Sequence, residues 1–132
     1  MAPWVRYAMG MPLLAATPAL PVREIARAVE FYEHHLGFKA RHVEPDFAIL
    51  VRDAVELHLW AANKPDCPGA EPHLAGTASC RVRVTGLHDL YREYQHQGVV
   101  HPNGALTKQP WGDEDFTVLD ADGNAIAFFE SA

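Results

Sequence analysis

The sequence predicts a single α+β domain built from two tandem repeats, each a strand, a helix and then two or three antiparallel strands. Two similar apolar helical patterns begin at Ile25 and at Leu87. A glycine follows each pattern, where a left-handed residue commonly ends a helix. Runs of β-forming residues precede and follow each helix. The 132 residues are therefore expected to form one folding unit with an internal duplication, because two independent domains would need a longer chain.

The two predicted helices share an apolar stripe. In each, apolar residues recur at i, i+3, i+4 and i+7, which places them on one helical face towards a core. The stripes consist of Ile25, Ala28, Val29 and Tyr32 in the first helix, and of Leu87, Leu90, Tyr91 and Tyr94 in the second. Gly37 and Gly98 follow the helices and are expected to take the left-handed conformation.

Six segments are predicted as strands from their β-forming composition. Two of them lead directly into the helices, and the other four follow the helices as two hairpins. They are Ala15 to Val22 and Ala78 to Val84, then Phe47 to Val51, Val55 to Trp60, Phe116 to Leu119 and Ala125 to Phe129. The turn from Asp120 to Asn124 contains Asp122-Gly123, a strong hairpin signal.

Proline and glycine divide the chain into an arm, residues 1–16, and one domain, residues 17–132. The halves of the domain are about 17–62 and 77–130, joined by a proline-rich linker over 61–76. Three interpretations of the arm stay open: a segment resembling a secretory signal, a translation start assigned too early, or an arm that packs on a partner subunit. In the last case Trp4, Tyr7 and Leu13 would become buried.

Composition limits the partners and the compartment. Eleven Lys and Arg against 17 Asp and Glu give a net charge of -6, which disfavours nucleic acid and favours a cationic ligand. No apolar stretch is long enough to span a bilayer. The two cysteines, Cys67 and Cys80, have neither zinc spacing nor the number needed for a disulfide scaffold. We expect a cytoplasmic protein with reduced thiols.

Five segments together resemble the bleomycin resistance proteins of the vicinal oxygen chelate superfamily. They are ARAVEFYEHHLGF (26–38), DFAILVRDAVELHL (46–59), GLHDLYREY (86–94), QPWG (109–112) and LDADGNAIAFFE (119–130). The resemblance runs from Thr17 to Glu130. It implies that each half curls its strands into an incomplete barrel, that the protein is a homodimer, and that the ligand lies in the concave interior or between subunits.

Enzymes of the vicinal oxygen chelate superfamily, which this chain resembles, bind a divalent metal on the first and last strands of each half. Counting from the repeat places these positions at Thr17, Ser79, Glu56 and Ala127. Only Glu56 could bind a metal well, and His58, on the same strand face, leaves at most a weak two-residue site. We therefore expect no metal and no cofactor. Neither cysteine has the pattern of an activated nucleophile, so no catalytic residue is expected.

The resemblance also implies ligand-binding residues. Trp111 in QPWG and Phe47 correspond to aromatic residues that contact the drug, while His42 stands where close relatives have another aromatic residue. His58, the residue after Leu57, departs from the relatives in the same way, and it shares a strand face with Glu56 and Trp60. Acidic residues nearby would favour a cationic group, and the run from Asp113 to Asp115 lies just after Trp111. The acidic candidates are Glu44, Asp46, Asp113, Glu114 and Asp115.

The function expected from these residues is noncatalytic binding and sequestration of bleomycin-type glycopeptide antibiotics. A planar bithiazole and a positively charged tail suit an aromatic cleft with acidic surroundings. Two alternatives stay open. One is a metal-dependent enzyme of the glyoxalase or dioxygenase type with an unconventional site at Glu56 and His58. The other is a binding module for a different aromatic, cationic metabolite.

Overall fold

The computed structural model describes residues 10–71 and 73–132. Each half of the described chain supplies a strand, a helix and three further strands, which confirms the predicted α+β class with two βαβββ repeats. The elements are β1 (Ala19–Val22), α1 (Ile25–His35), β2 (Lys39–Glu44), β3 (Phe47–Arg52), β4 (Val55–Ala61), β5 (Ser79–Arg83), α2 (Leu87–Gln97), β6 (Thr107–Lys108), β7 (Glu114–Leu119) and β8 (Ala125–Glu130).

The strands form two four-stranded sheets with the same order. The first sheet runs β1-β4-β3-β2 and the second runs β5-β8-β7-β6. The first strand of each sheet pairs in parallel with the last, because the helix carries the chain across the sheet, and the remaining pairs are antiparallel. The duplication seen in the sequence therefore extends to the pairing of the strands.

Each helix covers one face of its own sheet. In α1, all four residues of the predicted stripe are buried, and α1 contacts β2, β3 and β4. In α2, Leu87 and Tyr94 are buried, whereas Leu90 and Tyr91 are partly exposed. The strand side chains under the helices join these residues in one hydrophobic core shared by both halves. Neither half completes this core alone.

Two buried polar contacts tie the halves together. Tyr32 donates a hydrogen bond of 2.8 Å to Asp120 of the second half. Burial, and then the charge of Asp120, raise the pKa of Tyr32 well above its ordinary value. Tyr94, its counterpart in the second repeat, donates a hydrogen bond of 2.7 Å to the carbonyl oxygen of Leu36 in the first half. The two counterpart tyrosines thus each reach across to the opposite repeat.

The ends of both helices follow the glycine signals. Gly98 has φ of 69° and caps α2 directly. Gly37 has φ of 75° and lies one residue beyond Leu36, the cap of α1. Left-handed backbone at these positions is unfavourable for a side chain with a Cβ atom, so both predictions are confirmed.

The first strand is shorter than predicted. β1 begins at Ala19 rather than Ala15: its pairing with β4 starts at Ala19 opposite His58, and Pro18 just before it has no N–H group to donate. The preceding segment has no regular structure and leaves Leu13 91% exposed. Trp4, Tyr7 and Pro72 lie outside the described residues. None of the helices in the described part of the chain is long and apolar enough to cross a membrane.

Candidate functional site

The first sheet has one face that no helix covers. Along β3 and β4, fully buried side chains such as Leu50 and Leu57 point towards α1, and the side chains between them point the other way. These outward side chains remain partly exposed. We name this surface the first open face; it consists of Phe47, Ile49, Val51, Glu56, His58 and Trp60.

Aromatic rings dominate one end of the first open face. Phe47 lies directly opposite Trp60 in the antiparallel register. The Phe47 ring also contacts the His58 ring edge to face, with centroids 5.0 Å apart and planes at 76°. Three rings therefore lie side by side, and their partial exposure leaves room for a planar molecule to stack. The structure thus brings together Phe47, His58 and Trp60 as the sequence predicted.

The other end of the first open face is a charged network. Glu56 contacts His58 at 2.7 Å and Arg41 at 3.0 Å. The hydrogen bond with His58, followed by the charge of Arg41, lowers the pKa of Glu56. Glu56 is therefore ionised at neutral pH, with its charge balanced by the neighbouring guanidinium. This network fixes the His58 ring beside Phe47.

His42 lies on β2, at the border of the first open face. A β-bulge between Ala40 and His42 shifts the register, after which His42 lies opposite Ile49. Its Nε2 atom lies 2.9 Å from Glu44, which in turn lies opposite Phe47. His42 is therefore on the same side of the sheet as the aromatic rings, although its side chain is half exposed and makes none of the aromatic ring contacts among the described residues.

The second sheet has a corresponding uncovered surface, the second open face. It consists of Asp115, Thr117, Leu119, Ala125, Ala127 and Phe129. Here Asp115 lies opposite Phe129, and the Arg81 guanidinium lies over the Phe129 ring at 4.7 Å. This surface has smaller side chains than the first open face, and its one aromatic ring already contacts a cation.

Trp111 lies in the turn that leads into β7. Gln109 and Gly112 close this turn through backbone hydrogen bonds, and the side chain of Trp111 is 65% exposed. An indole this exposed has no packing role in the single chain. Its exposure is the feature expected of a residue that contacts a ligand or a second subunit.

The acidic run after Trp111 is not the uniform negative surface that the sequence suggested. Glu114 points to the helix side of the sheet, where it lies 3.3 Å from His88. Asp115 accepts a hydrogen bond from Gln109 and lies 3.7 Å from Arg81. Alternation along β7 places Glu114 and Asp115 on opposite faces of the sheet, so these two carboxylates do not act together.

The predicted site residues fall into two groups. Phe47, His58 and Trp60, with His42 at the border, belong to the first sheet, and Trp111, Asp113 and Asp115 belong to the second. Within the described residues, no hydrogen bond, ion pair or ring contact joins the two groups. One chain by itself therefore presents two separate walls.

A cavity lies elsewhere, between the two halves. It has a volume of about 780 Å³ and is lined by the turn after β3 and by the junction of β5 with α2. Arg52 crosses it to form an ion pair with Glu93 at 2.8 Å. None of the predicted site residues lines this cavity.

The strand register corrects the prediction of the metal positions. Ala19 pairs with His58, and Arg81, the counterpart of Ala19 in the second repeat, pairs with Ala127. His58, not Glu56, is therefore the counterpart of Ala127. The first hairpin has a two-residue turn between Arg52 and Val55, and the second has a longer one between Leu119 and Ala125.

These residues do not suit a divalent metal. Glu56 already has a guanidinium at 3.0 Å, which a metal ion would have to displace. The described residues contain no group of three or more His, Cys, Asp or Glu side chains arranged to hold a metal. Zinc sites require three or four protein donors.

The cysteines do not provide a nucleophile. Burial raises the pKa of Cys80 to about 11, so its thiol stays protonated at neutral pH. Cys67 is buried within the linker. Both are free thiols.

Sequence reasoning missed Arg41, Arg81 and Phe129. Phe129 occupies the position on β8 that Trp60 occupies on β4, as each follows the counterpart pair His58 and Ala127 by two residues. Aligning the last strands by their buried residues would have revealed it. The positions of the two arginines depend on pairing between distant strands, which no local pattern indicates.

Comparisons with known proteins agree with this architecture. A family model described as the glyoxalase/bleomycin resistance protein/dioxygenase superfamily matches residues 13–128. The chain is 42% identical to the bleomycin resistance protein of Geobacillus stearothermophilus, over 89% of this chain and 97% of that protein. An equally similar bleomycin resistance protein occurs in Staphylococcus aureus.

Two solved structures are similar over nearly their whole length. A bleomycin resistance determinant encoded on the transposon Tn5 has 26% identity and a TM-score of 0.73, covering 90% of this chain and 98% of that chain. A bleomycin-binding protein in complex with bleomycin has 28% identity and a TM-score of 0.71, covering 91% and 100%. The chain therefore belongs to the glyoxalase/bleomycin resistance protein/dioxygenase superfamily.

Proposed function

We propose that this protein binds bleomycin-type glycopeptide antibiotics without chemical change and so protects its host by sequestration. The observation that carries the proposal is the uncovered aromatic pair of Phe47 and Trp60, in a chain 42% identical to bleomycin resistance proteins. The structure of a similar protein with bleomycin bound supports the same ligand.

Stacking on aromatic rings provides the main attraction. A planar bithiazole placed against Phe47 and Trp60 would replace water on the first open face, and each ring pair contributes about 0.5–1.5 kcal/mol beyond the burial of area. Trp111, at 65% exposure, offers a second stacking surface. His58 borders the rings, and its contact with Glu56 keeps it in place. These residues bind and orient the ligand.

A homodimer would supply a complete cleft. The first open face and the Trp111 turn belong to different sheets, and their walls are not joined in one chain. A second copy that places its second open face, with Trp111, Asp113 and Asp115, opposite the first open face would enclose a planar ligand between two walls. Light scattering should give twice the mass of a single chain. A monomeric mass at micromolar concentration would contradict this arrangement.

Sequestration requires no catalytic group. Glu56 is balanced by Arg41, and the Cys80 thiol is protonated, so these residues suit neither metal binding nor nucleophilic catalysis. Reversible binding would keep the drug from DNA in the cytoplasm, where we place the protein. The cleft binds the drug in stoichiometric amounts instead of turning it over.

Titration of bleomycin against tryptophan fluorescence tests this function. We expect a saturable change at one drug molecule per site and a clear loss of affinity in Trp111→Ala. Trp4→Phe serves as the matched control, because it removes one indole and keeps both tryptophans of the proposed site. A wild-type protein that shows no saturable change would contradict the proposal, as would unaltered affinity in Trp111→Ala.

His42 and His58 favour a second candidate, a binding module for another planar cation. His58 lies beside the Phe47 ring and His42 lies at the border of the same face. The resemblance places other aromatic residues at these positions in close relatives, so the surface here has a different shape. Survival of a host under bleomycin, with and without the gene, distinguishes the two functions. Protection by the gene supports bleomycin as the ligand, and equal survival supports another metabolite.

A further inference from the structure

Most carboxylates near the aromatic rings are neutralised by a cation. Asp46 lies 2.6 Å from Lys64, Glu56 lies 3.0 Å from Arg41, and Asp115 lies 3.7 Å from Arg81. A carboxylate that already has such a partner gains little from the positive charge of a ligand, because the partner must first be displaced. These three residues are therefore poor candidates for recognising a cationic ligand.

Glu44 differs from them. Its partner is His42 at 2.9 Å, and within the described residues no lysine or arginine lies within ion-pair distance of it. It lies at the end of β2 directly opposite Phe47, which lies opposite Trp60. The side chain is 54% exposed. Glu44 is thus an accessible negative charge in the same row as the aromatic rings.

Asp113 also lacks an ion pair among the described residues, but its setting is different. It lies in the turn between β6 and β7, whereas the position of Glu44 is fixed by pairing within the sheet and by His42. A charge held in place before binding loses less conformational entropy when the ligand arrives. Position and order both favour Glu44.

We propose that Glu44 determines the preference of the first open face for planar ligands that carry a positive charge, and that His42 positions its carboxylate. This proposal rests on the proposed function in that both use the same aromatic rings. The class of ligand is a flat aromatic molecule with a quaternary or protonated nitrogen. Neutral molecules of the same shape would stack on Phe47 and Trp60 but would offer no positive charge to Glu44.

Two probes of nearly the same shape test the proposal: 1-methylquinolinium, which is cationic, and quinoline, which is neutral at pH 8. Affinities are measured by NMR titration at low salt. The wild type should prefer the cation about threefold to fivefold, as expected for an exposed ion pair. Glu44→Gln should lower the preference to what the cation gains from the aromatic rings alone, and should leave the affinity for quinoline unchanged. High salt should reduce the preference of the wild type.

Controls separate the alternatives. Glu30→Gln changes an exposed carboxylate of α1 that makes no hydrogen bond or ion pair among the described residues, and should keep the preference. The role of Glu44 would be overturned if the preference stayed the same in Glu44→Gln, or if that variant lost affinity equally for both probes. It would also be overturned if the preference were lost in Asp113→Asn instead, or if neither probe bound. Failure of bleomycin to bind, with the probes still discriminated, would contradict only the proposed function.

Discussion

The two sheets have the same strand order but different uncovered faces. Trp60 and Phe129 occupy counterpart positions, yet Trp60 lies beside Phe47, whereas Phe129 lies under the guanidinium of Arg81. Next to them, His58 in the first sheet corresponds to Ala127 in the second. The pairing of strands has been kept between the halves, and the side chains facing outward have diverged. Binding chemistry is therefore expected mainly on the first open face.

On the buried faces of the two sheets, the second sheet has the larger, aromatic side chains. Phe116 lies opposite Phe128 under α2, while the counterpart pair in the first half is Ala48 and Leu59. The rings of Phe116 and Phe128 stack at 5.4 Å. On the paired strands, β7 and β8 thus hold Phe116 and Phe128 on the buried face, whereas β3 and β4 present Phe47 and Trp60 on the open face. Stability should depend more on the ring pair of β7 and β8, and binding more on that of β3 and β4.

Phe116→Ala tests the stability side of this contrast and should have the largest effect. Phe116 is 1% exposed, and its removal leaves a cavity that costs about 3–5 kcal/mol of unfolding free energy. Phe116→Leu should lose clearly less, because much of the volume is kept. Urea unfolding followed by circular dichroism measures both. A loss below about 1 kcal/mol in the alanine variant would contradict an aromatic core in this half.

The counterpart tyrosines provide the next contrast. Tyr32→Phe removes a bond to a buried carboxylate and should cost about 1.5–3 kcal/mol. Tyr94→Phe should cost about 0.5–1.5 kcal/mol, because Arg52 still donates to the Leu36 carbonyl. The same urea experiment compares the two variants. Equal losses would mean that the charge of Asp120 does not strengthen its contact.

Trp60→Ala and Phe129→Ala test the binding side. Removing Trp60 should weaken bleomycin binding about tenfold, as for an aromatic residue central to an interface. Removing Phe129 should weaken it less than about threefold, because its ring is already engaged by Arg81 at 4.7 Å. Isothermal titration calorimetry measures both affinities. The reverse order would assign the main binding wall to the second sheet.

High pH should cause a gradual loss of stability. Burial raises the pKa of Cys80 to about 11 and that of Tyr94 to about 12, from ordinary values of 9.0 and 10.0. The unfolded chain therefore releases these protons first as pH rises, and the stabilisation, complete below about pH 9, is lost towards pH 12. The urea midpoint should be lower at pH 10.5 than at pH 8, and less so in Cys80→Ala. An unchanged midpoint would contradict the raised values.

Much of the fold could be predicted because burial leaves a periodic pattern. The stripe containing Ile25 and Tyr32 indicated α1, and glycines at 37 and 98 marked the helix ends. The register of β4 could not be counted from the sequence, since the two hairpin turns differ in length. Only the pairing of the strands shows that His58, not Glu56, is the counterpart of Ala127.

The candidate site was only partly predictable. Phe47, His58 and Trp60 share a face because strand side chains alternate, and that rule can be applied directly to the sequence. The ion pairs of Glu56 and Asp115 depend on arginines from other strands, so their neutralisation appears only once the strands are paired. Charge counts along the chain therefore overstated the negative surface beside Trp111.

Protection of plasmid DNA from cleavage by bleomycin tests the central claim of noncatalytic sequestration most directly. Protein is mixed with a fixed amount of drug for different times before DNA is added, and the drug is then recovered and weighed by mass spectrometry. We predict that protection is complete at one binding site per drug molecule, does not increase with incubation time, and leaves the mass of the drug unchanged. Protection that grows with time and is accompanied by a changed drug mass would contradict the account.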